Sequence, residues 1–455
     1  MPKQPNIIFY FSDQQRWDTV NETLTPNLMR LAEEGILYEN NFTCQPVCGP
    51  ARACLQTGEY ATQNGCYWNG IPLKKDAVTL ADHFNRAGYE TAYVGKWHLA
   101  SDRLPGIGEH YENTAVPEHK RGGYRYWRAA DVLEFTSHGY GGYIFDNDGN
   151  RLDFEGYRAD AINGFAEEYL ANEDGTRRDP DKPFFLFISQ LEPHHQNDHK
   201  RYEGYKETVD QFKDYPIPED LTAFHGDYKK MFPDYLSAIN RLDYNVGHMV
   251  ELLKELGLYE DTIILYTSDH GSHFKTRNAE YKRSCHEASI HTPLIISGGG
   301  LESVAGTGFV PGTRETRLTS LIDLPTTLLA MGGIAKPKNH MGNNLLEQIG
   351  TTDTVREAAY VQVSEASNSR AIRTERYKYA VKDFAPIGYV HHACPIYYED
   401  YLYDLAEDPH ELHNLVKSEA HEEIRAQLRE QLLAEMKKAG EWKPVIRSAV
   451  VARKK

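Results

Sequence analysis

Cys48 stands in a segment, TCQPVCGPARACLQTG, whose residue types can do chemistry. Pro50 suits the first turn of a helix, and the residues after it continue one. The spacing predicts a helix beginning near Pro50, with Cys48 at its positive end, where backbone N–H groups favour an anion. Arg52, one turn later, would support the same site. Taken alone, Cys48 reads equally well as a buried structural cysteine beside a turn. Other residues shift that balance. Asp13-Gln14 and Asp269-His270 are two ligand-type pairs, each following an apolar run, and together they can converge on one divalent cation. Strand-end acids are also common helix caps, so neither pair decides the matter alone. Lys96 and His98, in GKWHL, are two apart and can face one way. His194 follows a further apolar run, and Lys282 and Glu287 lie in NAEYKRSCHEASIHTP, a segment that can also be a histidine-rich surface loop.

The elements that must position these groups are legible as apolar runs. PNIIFYFSDQQ, YETAYVG, PFFLFISQLE, DTIILYTSDHG and TPLIISGGG read as buried strands. PNLMRLAEEG from Pro26 to about Glu34, AVTLADHFNRAG, SAINRLDYNVGHMVELLKELG and TSLIDLPTTLLAMGG read as helices, with Pro and Gly at their boundaries. Strands alternating with helices indicate an α/β fold with a large, mostly parallel sheet. The polar residues collect after the strand ends, the edge where such sheets bind ligands. Residues 101–165, rich in Gly, His, Tyr and Arg, read as a long insertion over that edge. The pattern changes near residue 360 to short strands, turns and a final amphipathic helix. This divides the chain into a catalytic α/β domain at 1–359 and a smaller antiparallel-sheet domain at 360–455.

Composition excludes several classes. With 40% apolar and 25% charged residues, a chain of 455 residues can bury a large core. A net charge of −16 disfavours nucleic acid as a partner. Six cysteines without zinc-type spacing are too few for a disulfide scaffold. No stretch reaches transmembrane length, and the first residues lack a secretory pattern. The expected location is cytoplasmic in a bacterium, or periplasmic if a leader was removed before residue 1. The oligomeric state is left open.

Cys-x-Pro-x-Arg, extended here as CGPARACLQTG, resembles the signature of the type I sulfatases of the alkaline phosphatase-like superfamily. The GKWH, PHH, SDHG and K…HE segments follow in the family's order, and LYDLAEDPHELHNL resembles its C-terminal part. The resemblance implies an alkaline phosphatase-like sulfatase fold and conversion of Cys48 to formylglycine by a formylglycine-generating or equivalent maturation enzyme. It implies that Asp13, Gln14, Asp269 and His270 hold a metal, usually Ca2+, with other divalent ions possible. One hydroxyl of the hydrated aldehyde then attacks sulfur. Arg52, Lys96 and Lys282 neutralise the sulfuryl oxygens, His194 and Lys282 assist the leaving alcohol, and His98 takes the proton that frees sulfate. Family analogy points to a sulfated mono- or oligosaccharide. Trp127, Arg125, His273, Lys275, Arg277 and His291 are candidates to hold it, by ion pairs and ring stacking. The Asp13-Gln14 and Asp269-His270 combination also resembles phosphonate monoester and phosphodiester hydrolases, the alternative activity. An inert binding protein of the same fold would be expected to lose the cysteine, the arginine or the metal acids, and none is lost.

Overall fold

In the computed structural model, residues 4–102, 108–384 and 391–449 are described. A ten-stranded sheet forms the centre. Its strands, in chain order, are β1 (Asn6–Asp13), β2 (Ile36–Tyr38), β3 (Glu90–Lys96), β4 (Tyr126–Ala130), β5 (Tyr140–Phe145), β6 (Arg151–Tyr157), β7 (Phe184–Pro193), β8 (Thr262–Ser268), β9 (Leu294–Ser297) and β10 (Thr313–Glu315). They lie side by side in the order β10-β2-β9-β8-β1-β7-β3-β4-β5-β6. The five central strands from β8 to β4 run parallel. The main helices are α1 (Pro26–Glu34), α2 (Cys48–Thr57), α3 (Leu80–Arg86), α4 (Arg158–Ala171), α5 (Tyr228–Glu255), α6 (Leu324–Met331) and α7 (Glu422–Lys438).

Strand periodicity explains the layers. Ile7, Phe9 and Phe11 of β1 enter one apolar cluster with α3 and α6, while Ile8 and Tyr10 enter another with α1, α4 and α5. Both faces of the strand are covered, so it reads as a continuous apolar run. Each such side chain contributes about 1.5–3 kcal/mol by leaving water.

Several expectations are refined. Strand β9 pairs antiparallel with β8, which reverses the direction expected of a mostly parallel sheet at that edge. Helix α2 begins at Cys48 itself, two residues before Pro50. Helix α5 starts at Tyr228, well before the periodic stretch expected from Ser237. The region 101–165 reaches the active edge only through the segment with Glu134 and Phe135 and is otherwise not an insertion over it. Its β4, β5 and β6 extend the sheet, and α4 packs against it, because its alternating apolar residues find a strand neighbour in β3.

A second sheet, β11 (Ala358–Val363), β12 (Ser369–Thr374), β13 (Tyr377–Lys382), β14 (Ile396–Asp404) and β15 (Val445–Arg447), is antiparallel apart from its last pair. Helix α7 packs on it through Leu428, Leu432 and Met436, which join the main core. Among the described residues, no helix is long and apolar enough to cross a membrane.

Candidate active site

Register brings the two acidic pairs together. Ser12 of β1 lies level with Ser268 of β8, so Asp13 and Asp269 emerge side by side at the carboxyl ends of two parallel neighbours. The Gln14 amide donates to Asp269 Oδ1 at 3.0 Å. Strand β3 ends at Lys96, and β7 leads into His194. Gly95 makes the approach of β3 to β7 possible: its φ is +107°, and a Cβ there would fall 1.9 Å from the Ser189 carbonyl oxygen. Beyond β3, the Asp131 carboxylate accepts the amides of Leu99, Ala100 and Ser101, each at 2.9 Å, and the His98 amide donates to the Asp131 carbonyl at 2.7 Å. These bonds hold the turn that carries His98, whose own φ is +61°.

Cys48 occupies the first turn of α2, capped at the other end by Gly58 in the left-handed conformation. Its Sγ lies 2.7 Å from Lys282 Nζ, 3.3 Å from His270 Nε2 and 3.5 Å from Asp13 Oδ1. Lys282 Nζ is also 3.1 Å from His194 Nε2. Arg52 donates to Asp13 Oδ2 at 3.0 Å, to Ser189 Oγ at 2.6 Å and to the Lys96 carbonyl at 2.9 Å. Lys96 Nζ lies between Asp13 Oδ2 at 2.9 Å and Glu134 Oε1 at 3.2 Å. The ten residues expected to do the chemistry are thus brought to one place, and Gln14, Cys48, His98, His194 and Lys282 line a common pocket of about 330 Å³.

Burial sets the electrostatics. Burial and the nearby Asp13 carboxylate push the Cys48 thiol up to about 12. An unmodified Cys48 is therefore a protonated, weak nucleophile at neutral pH. Burial and Asp13 also raise Asp269 to about 7. Asp13 goes the other way: burial opposes its charge, but Lys96, His194, Lys282 and Arg52 outweigh it and hold the carboxyl well below its usual range. Burial and Lys282 keep His194 and His270 neutral, far below an ordinary imidazole.

The donor set fits a divalent cation. One ligand atom from each of Asp13, Cys48, Asp269 and His270 lies within 4.8 Å of the others. Asp269 Oδ2 is buried with no hydrogen-bond donor, an oxygen that a cation would satisfy. His270 Nδ1 is engaged by the Gly271 carbonyl at 3.0 Å, which leaves Nε2 with the lone pair. The Gln14 side-chain nitrogen donates to Tyr202 at 2.7 Å and Ser272 at 3.2 Å, which leaves the side-chain carbonyl oxygen as the atom a cation would use.

The expected sugar contacts are placed elsewhere. Trp127 is fully buried in β4, where its ring stacks on Tyr93 at 5.4 Å; strand alternation turns it into the core. Arg125 is half exposed beside Glu90, away from the pocket. His273 is buried and bonded to the Lys282 carbonyl at 3.0 Å, so it positions Lys282 and does not face a substrate. Lys275 pairs with Asp227 at 3.2 Å. Arg277 is spent on the carbonyls of Glu411 and His410. His291 stacks on Trp17 at 4.5 Å and pairs with Glu287 at 3.3 Å. The pocket wall comes instead from Trp68, Asn69, Glu134, Phe135, His195, Asn197, Glu280, Tyr281, Arg283 and Glu365. Glu365, from the turn after β11, bonds Arg283 and accepts the Asn69 amide at 2.5 Å, while Asn69 Oδ1 accepts the Gly49 amide at 2.8 Å. Adjacency to Lys282 could have pointed to Tyr281 and Arg283, and adjacency to His194 to His195; nothing local marks the others.

The chain is similar to known proteins over most of its length. The sulfatase family matches residues 5–334, and the C-terminal family of N-sulphoglucosamine sulphohydrolase matches residues 279–438. An ulvan-active sulfatase of Formosa agariphila is 27% identical over 97% of this chain and 82% of its own. An N-acetylglucosamine-6-O-sulfatase of Bacteroides thetaiotaomicron is 25% identical over 91% of this chain and 83% of its own. A structure solved in work on glycosaminoglycan metabolism by Bacteroides thetaiotaomicron superposes with a TM-score of 0.80 at 23% identity, covering 96% of this chain and 97% of the other.

Proposed function

The chain belongs to the type I sulfatase family and is a sulfuric ester hydrolase; from that premise we propose that it acts on a sulfated mono- or oligosaccharide, through a formylglycine made from Cys48. The observation that carries the reading is the convergence of Lys282, His270 and Asp13 on Cys48 at the floor of a pocket, with Arg52 and Lys96 behind. Cys48, Pro50 and Arg52 are all buried, so a maturation enzyme would act before this segment folds. Asp13, Gln14, Asp269 and His270 would hold the cation. Three oxygen-bearing side chains suit a hard ion such as Ca2+, and the imidazole admits a softer one. When bound, the cation supplies charge that makes a hydroxyl of the hydrated aldehyde more acidic.

The remaining work falls to the chain's own side chains. Arg52, Lys96 and Lys282 offset negative charge on the sulfuryl oxygens, in a site where burial strengthens each interaction. His194, held neutral, and Lys282 form a hydrogen-bonded pair suited to giving a proton to the departing oxygen. His98 lines the same pocket and serves as the base at residue 48 for sulfate release. Trp68 and Phe135 give the mouth aromatic surface, and Asn69, Asn197, Glu280 and Arg283 give it hydrogen-bonding groups, a combination suited to a sugar ring. The sugar sulfate named for the Bacteroides relative supports the same class.

The test is a substrate panel of sulfated saccharides, an aryl sulfate, an aryl phosphonate monoester and a phosphodiester. Peptide mass analysis would report the modified fraction at Cys48. A dominant kcat/KM on a sulfated saccharide is expected. A dominant rate on the phosphonate or the diester would overturn the reading and turn attention to Gln14 and His270, the two less acidic members of the ligand set.

A further inference from the structure

Besides the central cluster, one other group among the described residues brings three ligand-type atoms within 4.8 Å of one another: His138, Asp198 and His199. The two imidazoles stack at 4.1 Å with planes 5° apart, and because an imidazole binds a metal in its own plane, one of these exposed rings must turn for both lone pairs to meet one ion. His138 Nε2 lies 2.8 Å from Asp198 Oδ2. All three side chains reach solvent, so an ion has a path to them.

Two of the three are held by partners of the kind that orient metal ligands. His199 Nδ1 is 2.6 Å from Glu203 Oε1, which leaves Nε2 as the free lone pair. Glu203 is itself mostly buried; its other oxygen accepts the Gly139 amide at 2.5 Å. A side chain at position 139 would strike Glu203, with a Cβ only 2.8 Å from its Cβ, so the glycine keeps the two segments together. Asp198 Oδ1 accepts from Gln196 Nε2 at 2.8 Å and from the His199 amide at 3.1 Å, leaving Oδ2 toward His138. Gln196 is buried and bonded to the Glu134 carbonyl at 2.9 Å.

We propose that His138, Asp198 and His199 form a second metal site, selective for a borderline divalent ion such as Zn2+. Two imidazoles and one carboxylate are the ligands such ions prefer, and a hard ion such as Ca2+ would be poorly served by them. The site joins two segments that also build the mouth of the catalytic pocket. The stretch with His138 carries Glu134 and Phe135; the stretch with Asp198 and His199 carries His194, His195 and Asn197. Occupancy therefore ties the two walls together and is felt as a change in KM.

Full-length enzyme held in excess Ca2+ would be titrated with Zn2+ by calorimetry and with Co2+ by visible absorption. The expected result is one high-affinity Zn2+ per chain, with a Co2+ spectrum indicating nitrogen ligands. Both should disappear in the His138→Ala/His199→Ala variant, which removes only exposed side chains. Glu203→Gln should weaken Zn2+ by about 10–100-fold while leaving the stoichiometry intact. Zn2+ binding of equal affinity and stoichiometry in the double variant would overturn the proposal, as would a wild-type enzyme that takes up no Co2+. These readouts do not depend on turnover, so they stand apart from the identity of the substrate.

Discussion

Residues 269–291 join two groups of buried charge that differ in one respect. At the first end, Asp269 and His270 meet Asp13, Cys48, Arg52 and Lys96, with Lys282 arriving from the middle of the segment. At the far end, Glu287 meets Lys378 of β13 and Glu411. Lys378 Nζ lies 2.6 Å from a carboxylate oxygen of each, and Glu411 also accepts the Glu287 amide at 2.8 Å. Arg373 and His291 complete that group at 3.6 and 3.3 Å from Glu287. The second group is sealed between the main sheet and the C-terminal sheet, so its charges are spent on each other. The first group opens to a pocket and leaves Lys282 aimed at residue 48. A closed ion network holds two parts of a fold in register; an open one leaves charge to act on a ligand.

Substitutions can break this contrast. The largest effect is expected for Cys48→Ala, with kcat reduced on the order of 10⁴-fold or more and an unchanged circular dichroism spectrum. Turnover within about tenfold of wild type would mean that residue 48 is not the nucleophile. Lys378→Met strands two buried carboxylates and should cost about 3–5 kcal/mol in urea unfolding, with kcat per folded molecule preserved. If stability held and kcat fell, the far group would belong to the catalytic machinery. Lys282→Ala should lower kcat by about 10²–10³-fold. The loss should shrink for an aryl sulfate with an acidic leaving group; an equal loss on all substrates would remove Lys282 from leaving-group protonation.

The smallest effect sharpens the comparison through pH. His273 lies under Lys282 between the two groups, and burial depresses its imidazole to about 4. Folding keeps this base neutral, so its contribution is fully present above the unfolded value of about 6.5 and is lost as pH falls toward the folded value. The loss amounts to about 2 kcal/mol by about pH 5. Chemical denaturation at several pH values should show a flatter acid limb for His273→Gln, and parallel curves for the two proteins would contradict the assignment.

The same segment shows how far sequence reading reaches. Asp269 and His270 were legible because they follow an apolar run, and the run became β8. Lys282 was placed through the resemblance, on the order of its segments. Arg277 and His291 looked like pocket residues because their types suit anions, yet one is spent on two carbonyls and the other on Glu287 and Trp17. Residue type states what a side chain can bind; it does not say what has already bound it. Trp127 differs for another reason: the composition around it suggests an insertion, whereas the chain there continues the sheet and turns the ring into the core.

The sequence by itself determined the α/β alternation and marked the two acidic pairs as candidate ligands, because each is a local matter: an apolar run, the turn that ends it, and the polar residue one or two places on. The tertiary structure alone decided which neighbours those residues meet. The level register of β1 and β8 set Asp13 beside Asp269, and the return of the chain after β11 brought Glu365 to Arg283 and Asn69. Contacts of that kind join residues far apart in the chain, and only the packing of the sheets selects them.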